Sequence, residues 1–275
     1  MDPWLETLGA VCVALLGIVL GRFFSRLPKF YWTLGCFLPL VLIAILLAAR
    51  WDSALPFARS FNWIVMGRTK FVILSLVVTI GLTTPLSRLP HKFERLIVCI
   101  LMALGMVWVS VVPFLVPALI RDHLAALGTR LDSNGVCLQT TRYTCGPAAA
   151  VTALGKLGLS AEEGEIAVLS RSSPLLGTLP ACLSAALENR YASDGLKCRF
   201  RHFDSVDQLR DIGVTLAVVR DAFLLDHCLA VLEVSDDIVT VADPVFGRRS
   251  MTHEQFEKVW RFSGIVLRRD TTHSI

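Results

Sequence analysis

Four residues in the second half of the chain have the types and the order that thiol acyl transfer needs: Gln139, Cys145, His227 and Asp243. Cys145 stands at the expected amino end of an Ala-rich helix, where unpaired backbone N–H groups and partial positive charge favour thiolate over thiol. Gly146 follows it, so little side-chain bulk obstructs an approaching substrate. Gln139 lies six residues upstream, where a side-chain amide can join the nucleophile's own N–H in stabilising an oxyanion. His227 opens a strand that continues through Leu229, Val231 and Leu232, and an imidazole there can take the thiol proton and return it to a leaving amine. Asp243, before Pro244 at the end of the next strand, can orient that imidazole. Taken singly, each has a plainer reading: a packed Cys, a solvated loop Gln, an idle strand-edge His and a turn Asp.

The last two residues constrain each other geometrically. A three-residue turn at Ser235, Asp236 and Asp237 sets Asp243 opposite Leu229. His227 is then its diagonal neighbour on the same face, about 7–8 Å away. A two-residue turn would put them on opposite faces. Alternation along the strand turns Asp226 away from His227.

The surrounding pattern supplies the elements. Pro147 suits the first turn of a helix that runs through Ala148 to Leu157 and stops at Gly158. Ser160 with Glu163 and Thr252 with Gln255 read as capping boxes, and Thr178 with Pro180 opens a helix through Ala181 to Leu187. Strands are expected at Cys198 to Phe203, Thr215 to Val219, Cys228 to Val234, Ile238 to Ala242 and Gly264 to Leu267. Helices before strands argue for an α+β domain with an antiparallel sheet.

The segments Gln139-Thr-Thr-Arg-Tyr-Thr-Cys145-Gly146, Gly177-Thr178, Asp226-His227 and Asp243-Pro244 with Gly247 resemble the bacteriocin-processing, or double-glycine leader, peptidase family, which has a papain-like cysteine peptidase fold. The resemblance covers about Gly135 to Arg269. It implies Cys145 as nucleophile, His227 as general base and acid, Asp243 as the residue orienting His227, and Gln139 as an oxyanion-hole donor. Gly146, Gly177 and Thr178 are the expected substrate-binding positions. The implied substrate is a peptide or protein, cut after small residues such as Gly-Gly, with a separate exporter as a partner. The best-known members carry this domain at the amino end of an ABC exporter; here four apolar stretches precede it, and no Walker phosphate loop occurs in the chain. Two alternatives share the residue set: an idle peptide-recognition module of a secretion system, and another thiol acyl-transfer enzyme such as an amidase or transglutaminase.

The apolar half is a different material. The chain is 54% apolar and 18% charged, against about 45–50% and about 25% in soluble domains. Residues 1–120 carry ten Lys/Arg and four Asp/Glu, whereas residues 121–275 are slightly acidic, which argues against nucleic acid as a partner. Four stretches, about 4–24, 31–49, 62–86 and 96–120, approach or exceed the roughly 20 residues that cross a bilayer, the third interrupted by Arg68 and Lys70. The expected division is a polytopic helical membrane region at 1–120, a linker at 121–134 and a peptidase domain at 135–270. Asp2 and Glu6 give the first stretch the flank of an anchor and not of a removable signal peptide, and Pro113 and Pro117 are expected to kink the fourth. Arg22, Arg26 and Lys29 after the first helix put the peptidase half outside the cytoplasm of a bacterial inner membrane, although the basic residues flanking the four stretches divide evenly between the two sides. Cys137, Cys182, Cys198 and Cys228 are read mainly as buried thiols, with one disulfide open. No metal or organic cofactor is implied, since no His/Cys cluster has zinc spacing.

Overall fold

The computed structural model describes residues 3–51, 67–222 and 225–270, which fall into two compact units divided between Leu119 and Ile120. In the first unit the apolar runs form α1 (Pro3–Arg26), α2 (Lys29–Trp51), α3 (Thr69–Leu86) and α4 (Lys92–Met106). Helix α4 passes through a π-helical turn (Val107–Val111) into α5 (Val112–Leu119). The turn ends two residues before Pro113, whose missing N–H cannot serve the carbonyl one turn back. Among the described residues four helices, counting Lys92–Leu119 as one, are long and apolar enough to cross a membrane. The third is shorter than its sequence pattern: it starts at Thr69, and residues 62–66 lie outside the described part. Arg68 sits just before it and pairs with Glu6 at 2.7 Å.

Contact between α1 and α3 rests on small residues. Ala10, Ala14, Gly17 and Gly21 recur on one face of α1 and are buried, as are Ser75, Thr79 and Thr83 of α3. A Cβ added at Gly17 would stand 2.0 Å from Thr79 Oγ1, so only glycine permits this approach. The buried hydroxyls are satisfied locally: Thr79 donates to Ser75 O at 2.7 Å, and the Ser75 and Ser110 hydroxyls lie 2.9 Å apart.

The second unit begins with a short helix, α6 (Arg121–Ala125), and a two-residue pairing of β1 (Arg130–Leu131) with β2 (Cys137–Leu138). The segment 121–134 therefore has structure of its own, with Leu124 fully buried. Then come α7 (Cys145–Lys156), α8 (Glu163–Leu169) and α9 (Pro180–Tyr191), followed by β3 (Leu196–His202), β4 (Val214–Ala222), β5 (Leu225–Val234), β6 (Ile238–Asp243) and β7 (Gly247–Thr252), α10 (His253–Val259), and β8 (Trp260–Arg269). The strands form one antiparallel sheet in the order β3-β8-β4-β5-β6-β7.

Alternation along the strands builds a core on each face. Leu216, Ala230, Ala242, Ile265 and Leu267 pack with Ala149, Ala150, Leu154, Leu183 and Leu187 of the helices. Leu229, Val231, Val239 and Val241 pack with Phe203, Phe256 and Trp260. The α+β architecture with an antiparallel sheet expected from the pattern is present.

Several local expectations need correction. Helix α8 starts at Glu163 with no side-chain cap, so Ser160 caps nothing, because the Glu163 carboxylate is committed elsewhere. Helix α9 is present as expected, with Pro180 in its first turn and Leu179 before it. The Thr252–Gln255 capping box is present with both of its bonds. Ser235, Asp236 and Asp237 lie between β5 and β6 as expected, but Ser235 N–H donates to Ile238 O at 2.9 Å, so the turn closes around Asp236 and Asp237 and Val234 pairs with Val239, one residue out of the expected register. A bulge at Leu232 removes this shift from the register, so Ala230 pairs with Ala242 as a three-residue turn would require.

Candidate active site

The site is assembled from three pieces of backbone. The first is the segment from β2 into α7. Cys137 N–H donates to Thr152 Oγ1 of α7 at 2.9 Å, so strand and helix are fixed to each other. Between them Thr141 and Thr144 close a tight loop: Thr141 N–H donates to Thr144 Oγ1 at 3.2 Å, and the Thr144 hydroxyl donates back to Thr141 O at 3.1 Å. Cys145 is the first residue of α7, half-buried, directly after the fully buried Thr144.

The second piece is β5 and β6. His227 Nε2 donates to Asp243 Oδ1 at 3.0 Å, and the Cys145 thiol lies near enough to the same ring to act on its charge. With Nε2 given to the carboxylate, Nδ1 is the nitrogen left for sulfur. Burial opposes a charge on His227, but the bonds to Asp243 and Cys145 and their charges outweigh it and push its pKa up to about 10. Burial likewise works against ionising Asp243, yet the His227 bond and the N–H groups of Val245 and Phe246 hold its carboxyl below the usual range. Asp226 faces Arg261 instead, at 3.1 Å, as alternation requires.

The third piece is the turn before α9. Ser173 pairs with Gly177 in a one-bridge turn, and Gly177 has a positive φ of 65° that favours glycine. Thr178 Oγ1 lies 2.6 Å from Ser172 Oγ and donates to Tyr143 O at 3.4 Å. Its hydroxyl is thus spent inside the fold. A Cβ on Gly146 would come within 3.1 Å of Thr178 Cβ, so Gly146 serves this close packing.

Gln139 joins the first two pieces, since its backbone N–H donates to Pro244 O at 2.9 Å, one residue beyond Asp243. Among the described residues its buried side-chain oxygen has no hydrogen-bond partner. The structure therefore brings Cys145, His227 and Asp243 together, the last two hydrogen-bonded, and ties the Gln139 backbone to the residue after Asp243. Sequence reasoning missed Arg249, whose Nη1 lies 3.8 Å from Asp243 Oδ2 while its guanidinium stacks on Phe246 at 5.1 Å. It also missed Glu163, whose only local signal was a misleading capping pattern.

All eight cysteines are free thiols. Burial pushes Cys137 and Cys198 up to about 12, and holds the Cys228 thiol well above its ordinary value, which leaves them inert. Among the described residues no three His, Cys, Asp or Glu side chains gather as a metal site would need.

A thiol at a helix start, an imidazole against it and a buried carboxylate behind that imidazole, on a papain-like fold, are the parts of a cysteine peptidase domain. The chain belongs to the peptidase C39 family, whose model matches residues 133–274. It is similar to the peptidase domain of Streptococcus ComA, a bi-functional ABC transporter involved in a quorum-sensing pathway, at 20% identity over 48% of this chain and 96% of that one, with a TM-score of 0.43. A double-glycine-motif protease from an AMS/PCAT transporter, solved with its leader peptide, is similar at 14% identity over 52% and 92% of the two chains, with a TM-score of 0.42. An uncharacterized protein of Methanothermobacter thermautotrophicus is 26% identical over 143 residues, which are 52% of this chain and 94% of that protein.

Proposed function

We propose that this chain is a membrane-anchored cysteine peptidase in which Cys145 is the nucleophile. The observation that carries the reading is the His227 ring, in contact with both the Cys145 thiol and Asp243. The sulfur attacks the scissile carbonyl, while the Gln139 amide and the Cys145 N–H stabilise the oxyanion. Protonated His227 then releases the amine, and a water activated by the neutral ring resolves the thioester. Asp243 holds the ring in one orientation throughout. Gly146, Gly177 and Thr178 border the nucleophile and shape the floor on which a substrate lies.

Residues 135–270 are the catalytic domain in this reading and residues 1–120 the anchor, with four apolar helices as its support. The substrate is a peptide cut after small residues such as Gly-Gly, delivered by or to a separate exporter. Leu225, Val245 and Phe246 favour a peptide with apolar side chains, because they are exposed within three residues of His227 or Asp243. The domain lies on the extracytoplasmic side of a bacterial inner membrane, a placement supported by the basic loop after α1.

The test is mass spectrometry of a peptide library incubated with the detergent-purified protein beside Cys145→Ala. Cleavage by the unsubstituted protein alone is expected, and it reads out the residues before the cut. Binding without cleavage by both would move the assignment to an idle recognition module, and peptide ligation or amide exchange to another acyl transferase. A reporter fused after Ile275 that works only in the cytoplasm would overturn the placement.

A further inference from the structure

Glu163 is an acid with no exposed surface, well removed in sequence from every residue of the candidate site. Its carboxylate is occupied by one residue, the neighbour of Gln139. Thr140 N–H donates to Oε1 at 2.9 Å and the Thr140 hydroxyl to Oε2 at 2.7 Å, with Gly128 O as a second acceptor for that hydroxyl at 3.0 Å. The acid is itself fixed from behind. Its N–H donates to Thr129 Oγ1 at 2.8 Å, and at Gly164 an added Cβ would meet the carbonyl oxygens of Leu124, Leu127 and Ala125 at 2.7–3.1 Å.

Two successive backbone N–H groups are therefore held by two different elements: Gln139 by Pro244 of the β6–β7 turn and Thr140 by Glu163 of α8. Holding both fixes the position and heading of the Gln139 Cα. The side-chain amide needs this support, since its own oxygen is unpaired among the described residues. An oxyanion donor works only if it waits in place, because a donor that must be ordered during the reaction loses its advantage.

We infer that Glu163, acting through Thr140, is a positioning residue that aims the Gln139 amide at the oxyanion. The inference rests on the proposed role of Gln139. A carboxylate is the group that can do this, because it accepts from both donors at once. Glutamine in its place keeps one acceptor oxygen and presents an NH2 to a donor.

The experiment uses the full chain in detergent with a cleaved peptide, and compares Glu163→Gln, Thr140→Val, Gln139→Ala and the double substitution Gln139→Ala/Glu163→Gln. Removing an oxyanion donor costs about 10²–10³ in kcat, so Gln139→Ala is expected to lose about that much. Glu163→Gln should lose about 10-fold or more in kcat at little change in KM, and the double variant should be no slower than Gln139→Ala alone. Thr140→Val, which keeps the acid and the N–H bond, should fall in the same direction by less, and it keeps the test open if Glu163→Gln does not fold. Alkylation of Cys145 by iodoacetamide forms no oxyanion, so its rate should be unchanged in all three single variants. Losses that multiply in the double variant, or alkylation that slows in step with kcat, would overturn the inference while leaving Gln139 as a donor. Full kcat in Gln139→Ala would overturn the donor role and the inference with it, and turnover by Cys145→Ala would instead overturn the peptidase reading itself.

Discussion

The two units of this chain put opposite kinds of side chain inside. In α1 the outward positions are Leu15, Leu16, Val19 and Phe23, at 50–62% exposure, while Ala10, Ala14, Gly17 and Gly21 are buried. In β3 the outward positions are Lys197, Arg199 and Arg201, while Leu196 and Cys198 are buried. A domain in water gains free energy by hiding leucine, and it does so here on both faces of one sheet. Helices long and apolar enough to cross a membrane would gain nothing from that in lipid, and here they associate through close backbone approach and satisfied hydroxyls, as at Gly17, Thr79 and the Ser75–Ser110 contact. The difference teaches that the two units pack by different rules, and that the candidate site lies in the one whose polar groups are brought together in a core.

The largest effects should fall in the polar unit and on turnover. Cys145→Ala and His227→Ala are each expected to cut kcat by about 10⁴-fold or more, with unchanged circular dichroism, and Asp243→Asn by about 10²–10⁴-fold. The reverse pattern is expected in the helices. Gly17→Leu drives a side chain into Thr79 and should lower stability in detergent by ~1–3 kcal/mol, with turnover per folded molecule unchanged. If Gly17→Leu instead reduced kcat as strongly as stability, the division of labour between the units would break.

Titration sharpens the same contrast. The folded pKa of His227, about 10, lies above its ordinary 6.5, so the stabilisation is whole below pH 6.5 and is lost as pH rises toward 10. Asp243, depressed from 3.8, contributes above that value and loses its contribution as pH falls through its folded pKa. Urea midpoints of the full chain should decline between pH 6.5 and 10, and His227→Gln should flatten that decline. The smallest effect is at the Thr252 cap, where Thr252→Ala should cost about 1 kcal/mol and leave kcat alone.

Strong local rules made much of this legible in the sequence. Proline at the start of α9, the Ala-rich run of α7 and the Thr252–Gln255 box each act within a few residues, and each lies where its pattern predicts. Strand β7 escaped because its sequence, Gly247 to Thr252, is an edge strand with four of six residues exposed, so burial wrote no alternation into it. The β5–β6 pairing was correct for a partly wrong reason, since the one-residue shift at the turn and the Leu232 bulge cancel. Glu163 was misread because its capping spacing is local while its partner, Thr140, lies 23 residues upstream. Cys145, His227 and Asp243 could be named from type and order, but the Pro244 and Glu163 clamps on the segment beside them are tertiary and leave no mark in sequence spacing.

The order of the candidate site's residues along the chain also fixes when they can meet. The thiol comes at position 145, its imidazole at 227 and the carboxylate at 243, on strands that pair only when the later part of the sheet closes. During synthesis the sulfur therefore emerges long before anything that could activate it, and long-range strand pairing is among the slower events of folding. A half-made chain carries the thiol without the imidazole and carboxylate set against it: the order of the parts delays the blade until the handle is finished.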